Sequence, residues 1–306
     1  MAVFEEITQY LKQYTDIEAI NNRFKDSSGI VQEIGEYTVM CSRKIIDPDP
    51  ENYIQYDPDD ATIVGLFIKQ HKGLECLFEA HKSGHLDVAW PYIRIDYEAY
   101  TKMRYLIDKG RDARRDYRIK SYRNRYEMYK RHNKMGNGVT DVFLYKFLSD
   151  IKEEGFTIED FESITSWKAF GGLSFEKLMK EYEPADFYLP GYALESDSIH
   201  SDWGDIRQLH LNKLNGKYSV KIDPEEYHSR VILMCIYLHL QAAGYFLEWC
   251  MNDFGVEILH ATELVDELKR VSTILLSHFI EIYECNPDVF VNKKYCCTLW
   301  LESTPS

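Results

Sequence analysis

Apolar residues recur along much of this chain at intervals of three and four, the period of a helix that buries one side. In residues 61–82, Ile63, Leu66, Phe67, Leu74, Leu77 and Phe78 share a side, and Leu264, Leu268, Val271, Leu275 and Phe279 repeat through 256–284. Residues 231–251, VILMCIYLHLQAAGYFLEWCM, are apolar almost all round, as a central helix is. The stretch is long enough to span a membrane. His239, Gln241 and Glu248 interrupt it, and a carboxylate facing lipid is costly, so a buried central helix is expected instead. Further helices are predicted over 4–14, 17–24, 30–46, 86–109, 111–134, 140–154, 192 to about 211, and 225–252.

The punctuation between these segments has its own chemistry. Asp47-Pro48-Asp49-Pro50 and Asp57-Pro58-Asp59-Asp60 form an acidic, proline-bearing linker, with acids placed for the positive end of the helix that follows. Thr157 with Asp160 reads as a capping box flanked by a Phe156/Phe161 staple, and Ser174 as a second N-cap between Leu173 and Leu178. Asn215-Gly216 marks a tight turn before a short strand at 218–222, and 296–301 is a second strand candidate. Asp223-Pro224-Glu225-Glu226 is a helix start. The expected fold is all-α: an N-terminal helical cap and linker over 1–58, and a main domain over 59–306 bundled around 225–252, with at most a minor β-hairpin.

Composition narrows the class. Sixteen Gly and nine Pro in 306 residues are too few for a turn-rich β fold. The seven cysteines are odd in number, form no C-x-x-C and fall mostly in apolar runs, the pattern of reduced thiols in a cytoplasm. The start, Met-Ala-Val-Phe-Glu-Glu, lacks the basic and apolar regions of a secretion signal. There is no Walker loop, no G-x-G-x-x-G and no zinc spacing, and the Glu-x-x-His pair at Glu257-Ile258-Leu259-His260 falls near a helix start, so neither a metal nor another cofactor is expected.

Charge changes the picture at one place. Residues 111–134, RDARRDYRIKSYRNRYEMYKRHNK, hold ten Lys/Arg against three Asp/Glu, a local +7 that leaves −21 for the rest of a chain whose total is −14. Arg111, Arg118, Arg125 and His132 recur every seven residues, and Ile119, Tyr122, Tyr126 and Tyr129 make an adjacent stripe. Guanidinium groups fork onto phosphate oxygens and aromatic rings stack on unstacked bases, so the pattern suits RNA. It equally suits an amphipathic helix whose tyrosines pack and whose arginines meet an acidic surface of the same protein. Arg125 and His132 also resemble the R-x4-6-H signature of the higher eukaryote and prokaryote nucleotide-binding helical ribonucleases. That resemblance implies His132 in acid–base work and Arg125 on the phosphate in a metal-independent cleavage. The family's usual polar residue after the Arg is here Tyr126.

A second constellation lies in YALESDSIHSDWGDIRQ, where Tyr192, Ser196, His200, Trp203 and Arg207 are spaced for one helical side. Arg94 and Glu98, one turn apart in another apolar helix, are their natural partners. Two readings stay open: a pocket with His200 as the acid–base group, Arg94 and Arg207 as anion holders and Glu98 orienting them, or a buried polar network that fixes helix register. Ser196 has no G-x-S-x-G elbow around it.

The segments YIRIDYEAYTKMRYLIDKG, RRDYRIKSY and YALESDSIHSDWGDI resemble an uncharacterised bacterial all-helical family, catalogued as domain of unknown function five-six-seven-seven, over roughly 61–256. The resemblance implies an all-α fold, singles out Arg94, Glu98, Tyr192, Ser196 and His200, and brings no activity. The functional expectation is therefore binding of RNA or another phosphate-bearing ligand, with Arg118 and Tyr122 on the ligand. Its catalytic form is a ribonuclease of toxin or phage-defence type. The alternative is a non-catalytic interaction protein that docks a partner or its own dimer mate.

Overall fold

The computed structural model describes residues 2–24, 27–46, 55–83, 89–132, 138–182, 203, 206–207, 211–214, 217–220, 229–258 and 260–285. The architecture is all-α apart from a small hairpin. The order is α1 (Ala2–Leu11), α2 (Ile17–Arg23), α3 (Ser27–Ile46), α4 (Ala61–Lys82), α5 (Ala89–Ser121), α6 (Arg123–His132), α7 (Gly138–Glu153), α8 (Ile158–Glu162), α9 (Phe175–Tyr182), α10 (Ser229–Phe254) and α11 (Ala261–Cys285). Strands β1 (Leu211–Leu214) and β2 (Lys217–Val220) pair antiparallel across 215–216, with Leu211 opposite Val220. Leu211 therefore starts a strand and does not end a helix.

The bundle closes around α10, which packs against α3, α4, α5 and α11. Ile232, Leu233, Ile236, Leu240, Ala242 and Phe246 are all essentially inaccessible, which is what an apolar circumference dictates. Among the described residues, no helix is long and apolar enough to cross a membrane. The buried residues of α1–α5 and α9–α11 form one continuous core. Arg270 of α11 locks the N-terminal end by donating to the Leu11 and Tyr14 carbonyls at 3.0 and 2.6 Å, which caps the orphaned carbonyls of α1.

A second, smaller core sits apart. Tyr126, Phe147, Ile151, Phe156 and Phe161 are buried together, with Tyr122, Tyr129 and Trp167 packed around them. Its frame is local: Thr157 and Asp160 form the capping box of α8, and the Phe156 and Phe161 rings meet edge-on at 6.1 Å.

Two boundaries differ from the sequence expectation. The helix breaks at Gly110 (φ 74°, ψ −163°), where the sequence separates 86–109 from 111–134, but the basic run after it is not one helix, because the ladder is interrupted at Tyr122. Tyr126 is buried in the small core, and Tyr122 packs half-buried against it. The last helix begins at Ala261 and not at 256, because His260 takes a left-handed φ of 62°. Glu257 and His260 thus share no helix, and His260 lies 3.3 Å from Glu5 instead.

Candidate functional site

The arginines of the basic run divide into two populations. Those nearest Gly110 turn onto the loop before α4. Arg111 pairs with Asp57, and Arg114 pairs with Asp60, donates to the Leu106 carbonyl at 3.0 Å and reaches Asp253 at 3.3 Å. Arg118 donates to Asp59 at 2.6 Å and to the Glu154 carbonyl at 2.8 Å, with a further bond to the Glu154 carboxylate at 3.0 Å. Phe156 lies under its guanidinium at 5.0 Å. Arg114 and Arg118 are buried, so neither is presented to a ligand. The acids they meet are themselves held. Asp57 accepts from the Asp59 and Asp60 amides, and these bonds, with Arg111 beside them, keep its carboxyl below the usual range. Burial raises Asp60 despite Arg114.

The second population lies on α6. Arg123 and Arg131 are exposed and make no ion pair among the described residues. Lys130 pairs with Glu127 at 2.7 Å on the surface. Arg125 is 57% exposed, holds Asp150 of α7 at 2.9 Å and sits over the Tyr122 ring at 5.4 Å. Beside that pair a pocket of about 160 Å³ opens between α6 and α7, lined by Met128, Tyr129, Phe143, Leu144, Lys146 and Phe147 with Arg125 and Asp150. The tyrosine stripe is thus partly absorbed: Tyr126 is buried, while Tyr122 and Tyr129 remain half-buried. His132 is the last residue of α6, two turns from Arg125; its side chain lies outside the described residues.

The other predicted constellation is only partly described. Tyr192, Ser196 and His200 lie outside the described residues. Trp203 is exposed and meets Tyr218 of β2 edge-on at 5.5 Å, and Arg207 is half-buried. Arg94 and Glu98 are half-buried on the flank of α5, where Glu98 pairs with Lys102. An open groove of about 330 Å³ is lined by Glu98 together with Ala61, Gly65, Lys69, Ala99 and Lys102.

Sequence reasoning missed the polar group that α5 sends inward. Its buried side carries Tyr92, Ile93, Asp96, Tyr97, Tyr100 and Met103, so the acid in the core is Asp96, two residues before Glu98. The Tyr92 hydroxyl donates to the Gln70 carbonyl at 2.7 Å, while both Asp96 oxygens and both Gln70 amide atoms are buried without a hydrogen bond. Burial pushes the Asp96 carboxyl well above the usual range. Nearby, His239 meets the Ser42 hydroxyl at 2.8 Å and stacks on Phe67 at 5.3 Å. Burial, helped by His71, drives His239 down to about 3, so its imidazole is neutral. The signal was present: Asp96 follows Tyr92 by four and Ile93 by three, squarely in the apolar register. Among the described residues no group of three His, Cys, Asp or Glu is placed to hold an ion.

A model described as "Family of unknown function (DUF5677)" matches residues 60–218. That stretch runs from the start of α4 to β2, so it takes in the basic run, the α6–α7 pocket and the groove beside Glu98. No curated protein and no solved structure matches the chain.

Proposed function

The chain belongs to this family of unknown function, and on that premise we propose that it binds single-stranded RNA at the α6–α7 end. The observation that carries the reading is the placement of Arg125. With Lys146 it is one of two exposed cations lining an aromatic-walled pocket, whereas Arg114 and Arg118 are committed to internal carboxylates. Arg123, Lys130 and Arg131 extend the positive surface along the same helix. Cations that track phosphates beside rings that stack bases are the two components of sequence-tolerant single-strand binding. The reduced thiols of Cys41, Cys76 and Cys250 fit the reducing cytoplasm in which RNA is met. The catalytic form of the reading is metal-independent cleavage, with His132 moving the proton and Arg125 steadying the phosphate.

The test is fluorescence anisotropy of a labelled single-stranded RNA titrated between low and moderate salt. Affinity is expected to fall with salt, and Arg125→Ala and Arg131→Ala each to lower the logarithmic slope by about 1. Incubation of the same RNA with chelator tests cleavage, which His132→Ala is expected to abolish. Absence of binding at low salt, or affinity indifferent to salt, rejects the proposal.

A second reading, a non-catalytic interaction module, is favoured by α7. Val142 and Tyr145 are 71% and 74% exposed, with Phe143 and Leu148 beside them, a density of apolar surface that marks contact sites. Sedimentation of the chain at rising concentration, with Tyr145→Ser as control, separates the two: self-association without RNA binding selects this reading.

A further inference from the structure

We propose that the α6–α7 pocket takes one extruded guanine of the bound strand and that Asp150 selects it; the inference rests on the RNA reading above. The pocket volume is about 160 Å³, close to the ~150 Å³ of a cavity that accepts a benzene-sized ring. It therefore admits the flat body of one base, with the base's polar edge left at the rim. Its walls are Met128, Tyr129, Phe143 and Phe147, and Phe143 is 60% exposed, so a ring sliding in gains apolar contact on both sides.

The rim carries the information. Asp150 gives one carboxylate oxygen, Oδ2, to Arg125. Its other oxygen, Oδ1, accepts no hydrogen bond among the described residues. A carboxylate accepts at both oxygens, and Oδ2 keeps capacity beyond Arg125. Guanine alone among the four RNA bases presents two adjacent donors, N1–H and the N2 amine, on its Watson–Crick edge. Adenine and cytosine set a bare ring nitrogen beside their amine, and uracil flanks its single N–H with carbonyls; each aims a lone pair at the carboxylate. Arg125 completes the arrangement. It fixes the Asp150 rotamer through one N–H and has donors left for a phosphate oxygen of the same nucleotide.

The experiment compares uridine oligomers of one length that carry a single central guanosine, inosine, adenosine or cytidine, by anisotropy at low salt. Guanosine is expected to bind at least about tenfold tighter than adenosine or cytidine. Inosine, which lacks the N2 amine, falls between, as expected for loss of one hydrogen bond to a charged group. In Asp150→Asn the ratio between guanosine and the other oligomers collapses towards one. Inosine needs no change in the protein, so the comparison survives even if that variant folds poorly. Equal affinity for all four oligomers overturns base selection while leaving RNA binding standing. No binding of any oligomer, with self-association that Phe143→Ser abolishes, overturns both and gives the pocket to a protein partner.

Discussion

Arg118 and Asp59 meet at 2.6 Å in a nearly dry interior, 8% and 11% exposed, and Glu154 closes the other side of the guanidinium. The pair ties the loop before α4 to the turn after α7, and so fastens the small aromatic core to the main bundle. Removing one partner of a buried pair leaves the other charge uncompensated. Arg118→Ala is expected to cost about 3 kcal/mol in urea unfolding, with no change in the salt slope of RNA binding. A loss under about 0.5 kcal/mol, the size of a surface substitution, would show that the pair is decorative.

His239 supplies a pH prediction. Its pKa drops from 6.5 to about 3 on folding, so the stability it confers is complete above the unfolded value and declines as the pH falls towards the folded one. The expected loss is about 2 kcal/mol by pH 5, relative to a His239→Gln chain that has nothing to protonate there. Parallel melting curves for the two proteins between pH 7 and 5 would remove the claim.

Asp96 works in the opposite sense. Its folded pKa is raised, so its protonated form fits the core and stability falls as pH rises above the ordinary carboxylate range. Asp96→Asn keeps the shape without the ionisation. Its melting temperature is expected to match the parent near pH 4 and exceed it by several degrees at pH 8. The idea fails if the gap between the two is constant across that range.

Gly35 of α3 lies against Phe78 of α4 so closely that an added Cβ would stand 1.7 Å from the ring tip. Gly35→Ala is expected to destabilise by about 1–3 kcal/mol, the usual cost of overpacking. Adding Phe78→Leu should recover part of it, and calorimetry of the single and double variants reads the coupling directly. Additive losses would mean that the helices part without needing the ring to move.

How much of this was legible in the sequence depends on range. The bounds of α4 fell where the periodicity placed them, and Thr157 and Asp160 announced their own capping box, because those signals are complete within a few residues. The interruption at Tyr122 was not legible, since it follows from a core assembled with Phe147, Phe161 and Trp167. An acidic partner surface for the arginines could be anticipated from total charge. The choice of Asp59 and Glu154 could not, because those residues lie 59 and 36 positions away from Arg118. Arg94 and Glu98 drew attention as charges in an apolar helix, yet the group α5 commits to the interior is Asp96, which the helical register pointed to.

The clasp of Arg270 on the Leu11 and Tyr14 carbonyls joins residues 256 or more positions apart. At the ribosome's pace of ~5–20 residues per second, the first helices wait roughly 15–50 s for their seat to emerge. Throughout that interval α1 lacks the last helix on which it packs, although Tyr14 can already meet Phe24. The nascent chain is therefore a natural client for a holdase, and its assembly is timed by translation more than by the intrinsic speed of its helices.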